Sequence, residues 1–126
     1  MIMKKILIID DEENLCHFVK VVLEDSGKYE VHTENNPANA LSAVTEFRPD
    51  LIILDVLMPD IDGGEVEVLL KRADISKDIP IIFLTAMASK LDPNNKGVDV
   101  AGRFIIAKPV NVKNLITAIE EKLEKE

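Results

Sequence analysis

A chain of 126 residues, 47% hydrophobic and 30% charged, has the length and balance of one ordinary globular domain with a core of its own. Its net charge of −8 argues against nucleic acid or an anionic membrane as a partner, because both ask for a basic surface. The opening Lys4-Lys5-Ile6-Leu7-Ile8-Ile9 is too short for a signal peptide or a membrane span, and a lone Cys16 forms no internal disulfide, as in a reducing cytoplasm.

In chain order, residues 6–9 form a continuous apolar run, the pattern of a strand buried on both faces of a parallel sheet. Leu15, Phe18, Val19, Val22 and Leu23 then fall on one helical face, with Gly27 as the stop. Tyr29-Glu30-Val31-His32-Thr33 alternates apolar and polar, which suits an edge strand. Asn36 as N-cap and Pro37 in the first turn open a helix over 37–47, with Leu41 and Val44 inward. A second buried strand follows at 51–54, and a helix over 64–73 carries Val66, Leu69 and Leu70. A third apolar run occupies 81–84. Between 86 and 103, Pro93, Asn94-Asn95, Gly97 and Gly102 break any long helix and leave a short or mobile one flanked by loop. The run 104–107 is the last strand. The final helix buries Val112, Leu115, Ile116, Ile119 and Leu123 and ends in a solvated Glu/Lys face. Strand and helix alternate five times without repeat or linker. The expectation is one α/β domain over 1–126, with right-handed crossovers and helices on both faces.

In an open parallel sheet, ligands bind beyond the carboxyl ends of the strands. The residues that follow the buried strands are Asp10 and Asp11, Asp55, Thr85 and Lys108. All should meet at one sheet edge. Carboxylates sharing a pocket repel by on the order of 4 kcal/mol per pair at ~4 Å with an effective dielectric near 20. A hard divalent cation reverses that sign, and Mg²⁺ favours one or two carboxylates plus water and phosphate oxygens. With the Lys108 ammonium and the Thr85 hydroxyl added, the set makes a cradle for a phosphoryl group, and Asp55, central on its strand, is the natural nucleophile.

The chain resembles a response-regulator receiver domain of bacterial two-component signalling over essentially its whole length. The motifs are Ile8-Ile9-Asp10-Asp11-Glu12, then Asp55-Val56-Leu57-Met58-Pro59-Asp60-Ile61-Asp62-Gly63, then Thr85-Ala86 and Lys108-Pro109. Each alone is common; in this order and at strand ends they are highly specific. The resemblance implies a flavodoxin-like, doubly wound sheet of five parallel strands in the order 2-1-3-4-5. It implies that Asp55 takes a phosphoryl group from a phosphohistidine on a sensor kinase. Asp11, Asp55 and the backbone carbonyl of Leu57 would ligate Mg²⁺, with Asp10 helping through water. Thr85 would hydrogen-bond the phosphoryl group, and Lys108 would pair with one of its oxygens ahead of a cis bond to Pro109. Pro59 and Gly63 would shape the turn after Asp55. Such a domain is a phosphoacceptor that assists its own phosphorylation and dephosphorylation rather than an enzyme. Its expected partners are a kinase or phosphotransfer protein and a downstream protein target, as a monomer or weak dimer.

Two departures stand out. Receivers usually carry Tyr or Phe three residues before the site lysine; here that residue is Ile105, and Phe104 points to the opposite face of the strand. The expectation is that any conformational signal runs through segment 86–103. Leu57 and Met87, two residues after Asp55 and Thr85, are apolar and orient no attacking water, so phosphate loss should be slow to moderate.

Other readings are weaker. Asp10 could serve only as a helix N-cap, and Glu12 and Glu13 read as first-turn acids rather than ligands. His17 reads as a surface helix residue, His32 lacks ligand partners, and Cys16 reads as packing. A haloacid dehalogenase places a second Asp where Leu57 stands. An FMN site needs hydroxyls where Asp10-Asp11-Glu12-Glu13 stands, and no glycine-rich P-loop is present. The competing function of a different class is a receiver-like module that binds a partner without being phosphorylated.

Overall fold

Continuous apolar runs bury both faces of a strand, and the centre of the sheet is built from them. The computed structural model describes residues 3–55, 63–86 and 92–124. Along the chain run β1 (Lys4–Ile9), α1 (Glu13–Asp25), β2 (Tyr29–Glu34), a 3-10 turn (Pro37–Asn39) leading into α2 (Ala40–Phe47), and β3 (Leu51–Asp55). There follow α3 (Gly63–Arg72), β4 (Ile81–Thr85), β5 (Val98–Val100), β6 (Arg103–Ala107) and α4 (Val112–Glu124). The sheet order is β2-β1-β3-β4-β6-β5, and every pairing is parallel except β5 with β6.

Alternate strand residues feed two cores. On one face Ile6, Ile8, Ile53, Ile82 and Leu84 pack against Cys16, Val19 and Leu23 of α1 and Leu115, Ala118 and Ile119 of α4. On the other, Leu7, Ile9, Ile52, Leu54 and Phe83 pack against Ala40, Ala43 and Val44 of α2 and Val66 and Leu70 of α3. Each such Val, Leu, Ile or Phe side chain contributes about 1.5–3 kcal/mol on burial. Local signals behave as expected at several ends. Asn36 Oδ1 accepts from the Ala38 N–H at 3.0 Å, with Pro37 in the first turn. Gly27 follows α1 at φ 76°, where a side chain is strained.

The structure corrects the sequence reading in two places. The sheet has six strands, not five, because β5 adds an antiparallel edge. Its turn, Ala101-Gly102, has positive φ at both residues (51° and 82°), the two-residue geometry that matches strand twist. The short helix expected within segment 86–103 cannot be placed on the described residues alone, since 87–91 lie outside them; the described part holds turns and this strand. Gly97 sits there at φ 97°, with the Phe104 ring in the space a Cβ would need. Lastly, Phe18, Leu41 and Leu69 are exposed, because the buried stripes are narrower than the apolar pattern: Cys16, Val19 and Leu23 in α1, for instance.

Candidate functional site: an acidic pocket held by a lysine

Parallel pairing places the ends of β1, β3, β4 and β6 along one edge, and the pocket forms there. Asp10 follows β1 and is fully buried; Asp55 is the last residue of β3 and is 2% exposed. One carboxylate oxygen from each of Asp10, Asp11 and Asp55 lies within 4.8 Å of the others, with Asp11 the exposed member. Asp10 performs two tasks. Its Oδ1 accepts the Glu12 N–H at 2.9 Å, a turn ahead of α1 rather than a helix N-cap, because the N-cap residue is Glu12. Its Oδ2 is buried and faces the Lys108 ammonium at 3.0 Å.

Lys108 supplies the counter-charge. Its N–H donates to the Thr85 carbonyl at 2.9 Å, continuing the β4–β6 ladder by one residue, and the bond to Pro109 is cis. Its ammonium lies 3.0 Å from Asp10 Oδ2, 3.3 Å from Asp55 Oδ2 and 2.8 Å from Glu12 Oε1. Burial alone would lower the Lys108 pKa, but the carboxylates of Glu12, Asp10 and Asp55 outweigh it and hold the ammonium well above the ordinary lysine range. Asp10 moves the other way from a normal carboxylate. Desolvation pushes it up to about 6, against the Glu12 N–H and Lys108, with the Asp55 charge adding to the rise.

These residues fit a hard divalent cation: carboxylate oxygens from Asp10, Asp11 and Asp55 converge within 4.8 Å of one another, the donor set such an ion takes. Thr85 ends β4 opposite Ala107 and is buried at the same edge. Leu57, Pro59 and Met87 lie outside the described residues. Ile105 packs on the Phe83 face of the sheet and Phe104 on the α4 face, as alternation requires.

Some site residues escaped sequence reasoning. Glu12 reads as a first-turn acid, yet it is a partner of Lys108. Asn35 steadies the Asp10 carbonyl by a 2.9 Å hydrogen bond and touches Cys16 Sγ. Cys16 is buried beneath Asp10, and burial, then the Asp10 charge, pushes its thiol up to about 12. His17 is exposed and His32 stacks on Phe47 at 5.1 Å, neither near the pocket's ligand set. Beside the pocket lies a groove of about 480 Å³ lined by Leu15, Phe18, Pro109 and Val110 together with Glu12, Ala86 and Lys108.

A doubly wound, mostly parallel sheet with carboxylates after its first and third strands and a lysine after β6 defines a flavodoxin-like α/β domain with a cation-ready pocket. Residues 6–120 match the response regulator receiver domain. The chain is 35% identical over 125 residues to the phosphate regulon transcriptional regulatory protein PhoB of Pseudomonas aeruginosa, covering 99% of this chain and 54% of that protein. It is 34% identical over 120 residues to the polar-differentiation response regulator DivK of Brucella anthropi, covering 95% and 96%. The solved structure of the chemotaxis response regulator CheY4 of Vibrio cholerae matches with a TM-score of 0.79 at 29% identity, covering 96% of this chain and 99% of that one. The chain belongs to the receiver domains of two-component response regulators. It spans about half the length of PhoB and several other curated relatives. Among the described residues, no helix is long and apolar enough to cross a membrane.

Proposed function

We propose that residues 1–126 act as one phosphoacceptor unit in which Asp55 takes a phosphoryl group from a phosphohistidine of a sensor histidine kinase or phosphotransfer protein. An Asp55 oxygen attacks phosphorus while the phosphorus–nitrogen bond breaks and its electron pair returns to the donor imidazole; the product is an acyl phosphate. Asp10, Asp11, Asp55 and the Leu57 carbonyl are the residues that would hold Mg²⁺. When bound, the cation offsets the negative charge of the carboxylates and of the incoming phosphoryl oxygens. Lys108 moves its ammonium from carboxylate to phosphoryl oxygen, and Thr85 supplies a hydroxyl donor. Both lie at strand ends already beside Asp55, so little reorganisation is required. Dephosphorylation is the attack of water on phosphorus with the Asp55 carboxylate leaving, and it is slow to moderate because Leu57 and Met87 orient no water. The phosphorylated domain then changes its protein contacts in the cytoplasm, as a monomer or weak dimer. At a net charge of −8, it does so without binding nucleic acid or membrane itself.

The observation that supports this most is the buried Asp55 carboxylate between the Lys108 ammonium at 3.3 Å and the acidic set of Asp10 and Asp11. The test is incubation with acetyl phosphate and Mg²⁺ followed by intact mass. A phosphoryl mass gain that disappears in Asp55→Asn is expected. Ile105 at the usual aromatic position favours a second reading, a module that binds its partner unphosphorylated; absence of any mass gain in the folded wild-type chain would establish that one.

A further inference from the structure

The antiparallel ladder of β5 on β6 stops short of the pocket. Val98 pairs with Ile105 and is the last residue of β5 on that side. Continued in register, Gly97 would face Ile106 and Lys96 would face Ala107, the residue before Lys108. Side chains stand there instead. Asp92 Oδ2 accepts the Ala107 N–H at 3.0 Å, and Asn95 Nδ2 donates to the Ala107 carbonyl at 2.8 Å. Asn95 Nδ2 also donates to the Pro109 carbonyl at 3.0 Å. The backbone on both sides of Lys108 is therefore gripped from the outer edge, while Thr85 holds the Lys108 N–H from the inner one.

We propose that Asp92 and Asn95 are positioning residues for Lys108, standing in for the missing strand and fixing where its ammonium can reach. The grip is firmly built. Asp92 is 5% exposed, and its Oδ1 takes the N–H groups of Lys96 and Gly97 at 3.0 Å each. Asn95 adopts φ 55°, a left-handed conformation that asparagine tolerates better than most residues. Asn114 of α4 donates to the Asn94 carbonyl at 3.2 Å, tying the loop to a helix. A lysine has a long flexible stem, so the reach of its ammonium depends on where its backbone is held. Displacements of about 1 Å can cost a reaction on the order of 100-fold.

This inference rests on Asp55 being the phosphoacceptor, and its test separates the two. Asn95→Gly keeps the left-handed backbone and removes both donated hydrogen bonds. It should slow acetyl phosphate-dependent phosphorylation roughly fivefold to tenfold. Mg²⁺ affinity, set by residues on β1 and β3, should stay within about twofold by calorimetry, and in a Lys108→Ala background the same change should add less than about twofold. An unchanged rate, an equal slowing in both backgrounds, or Mg²⁺ affinity falling in step overturns the assignment. Asn95→Asp, which keeps the size and turns an acceptor toward both carbonyls, carries the same expectations if the glycine variant does not fold. A second readout needs no phosphorylation. Acetylation footprinting of the folded protein should find Lys108 protected and Asn95→Gly raising its modification while Lys113 is unaffected. If the wild type takes up no phosphoryl group, the phosphoacceptor reading fails and this footprint alone decides the grip: raised modification supports it, unchanged modification sinks it.

Discussion

The crossover from β1 to β2 carries acids of the pocket, the one from β4 to β6 leads into the strand that ends at Lys108, and they are made of different materials. The first is a helix whose Cys16, Val19 and Leu23 lie against Ile6, Ile8 and Val31, so the acidic side of the site is fixed by apolar packing. Among the described residues, the second is turns and a three-residue strand held to β6 by Asp92 and Asn95. Packing is strong and nearly all-or-none, whereas a few hydrogen bonds of about 1 kcal/mol each can be exchanged. In the proposed chemistry Asp10 and Asp11 belong to the packed crossover. Lys108, which would trade a carboxylate for a phosphoryl oxygen, follows the strand whose outer edge the hydrogen-bonded crossover holds.

That contrast can be broken at several levels. Lys108→Ala should slow Asp55 phosphorylation on the order of 100-fold or more. It should also cost the metal-free protein about 3 kcal/mol in urea unfolding, since Asp10 and Asp55 lose their buried counter-charge. Added Mg²⁺ should recover much of that stability; no recovery would argue against a cation among these carboxylates. On the packed side, Leu23→Ala should cost about 2–5 kcal/mol with the phosphorylation rate of the folded fraction unchanged. A cost below that of Asn95→Gly would erase the distinction between the two crossovers.

Acidity sharpens the comparison further. Asp10 is held near 6 in the folded chain against an ordinary 3.8, so between those values the folded state binds the proton more tightly. Metal-free stability from this group is thus greatest below about pH 4 and falls, by on the order of 3 kcal/mol, as the pH rises through about 6. Urea midpoints across that range should show the fall in the wild type and its loss in Asp10→Asn. Mg²⁺ affinity should run the opposite way, weakening as Asp10 protonates below about pH 6. The smallest effect is at the hairpin: Ala101→Asn should stabilise by about 0.5–1 kcal/mol, because Ala101 sits at φ 51°.

Most of the site was legible because each of Asp10, Asp55, Thr85 and Lys108 directly follows or closes an unbroken apolar run, and parallel strands end on the same side. Strand β5 was not, because its turn lacks the Asn-Gly pair that usually announces a tight hairpin. Glu12 and Lys108 lie 96 positions apart, and no local pattern foretells their contact. Asp92 and Asn95 are hidden for a related reason: their partners are backbone groups 12 to 15 residues away, chosen by the path of a loop. Phe18 misled because helical periodicity marks a face and not the width of the buried stripe.

Cys16 has a practical consequence at the bench. With its thiol sealed under Asp10 and pushed up to about 12, it presents almost no thiolate near neutral pH. Maleimide or spin-label chemistry at a cysteine introduced on the exposed face of α4 should therefore proceed on the native background, leaving distances across the pocket measurable without first removing Cys16.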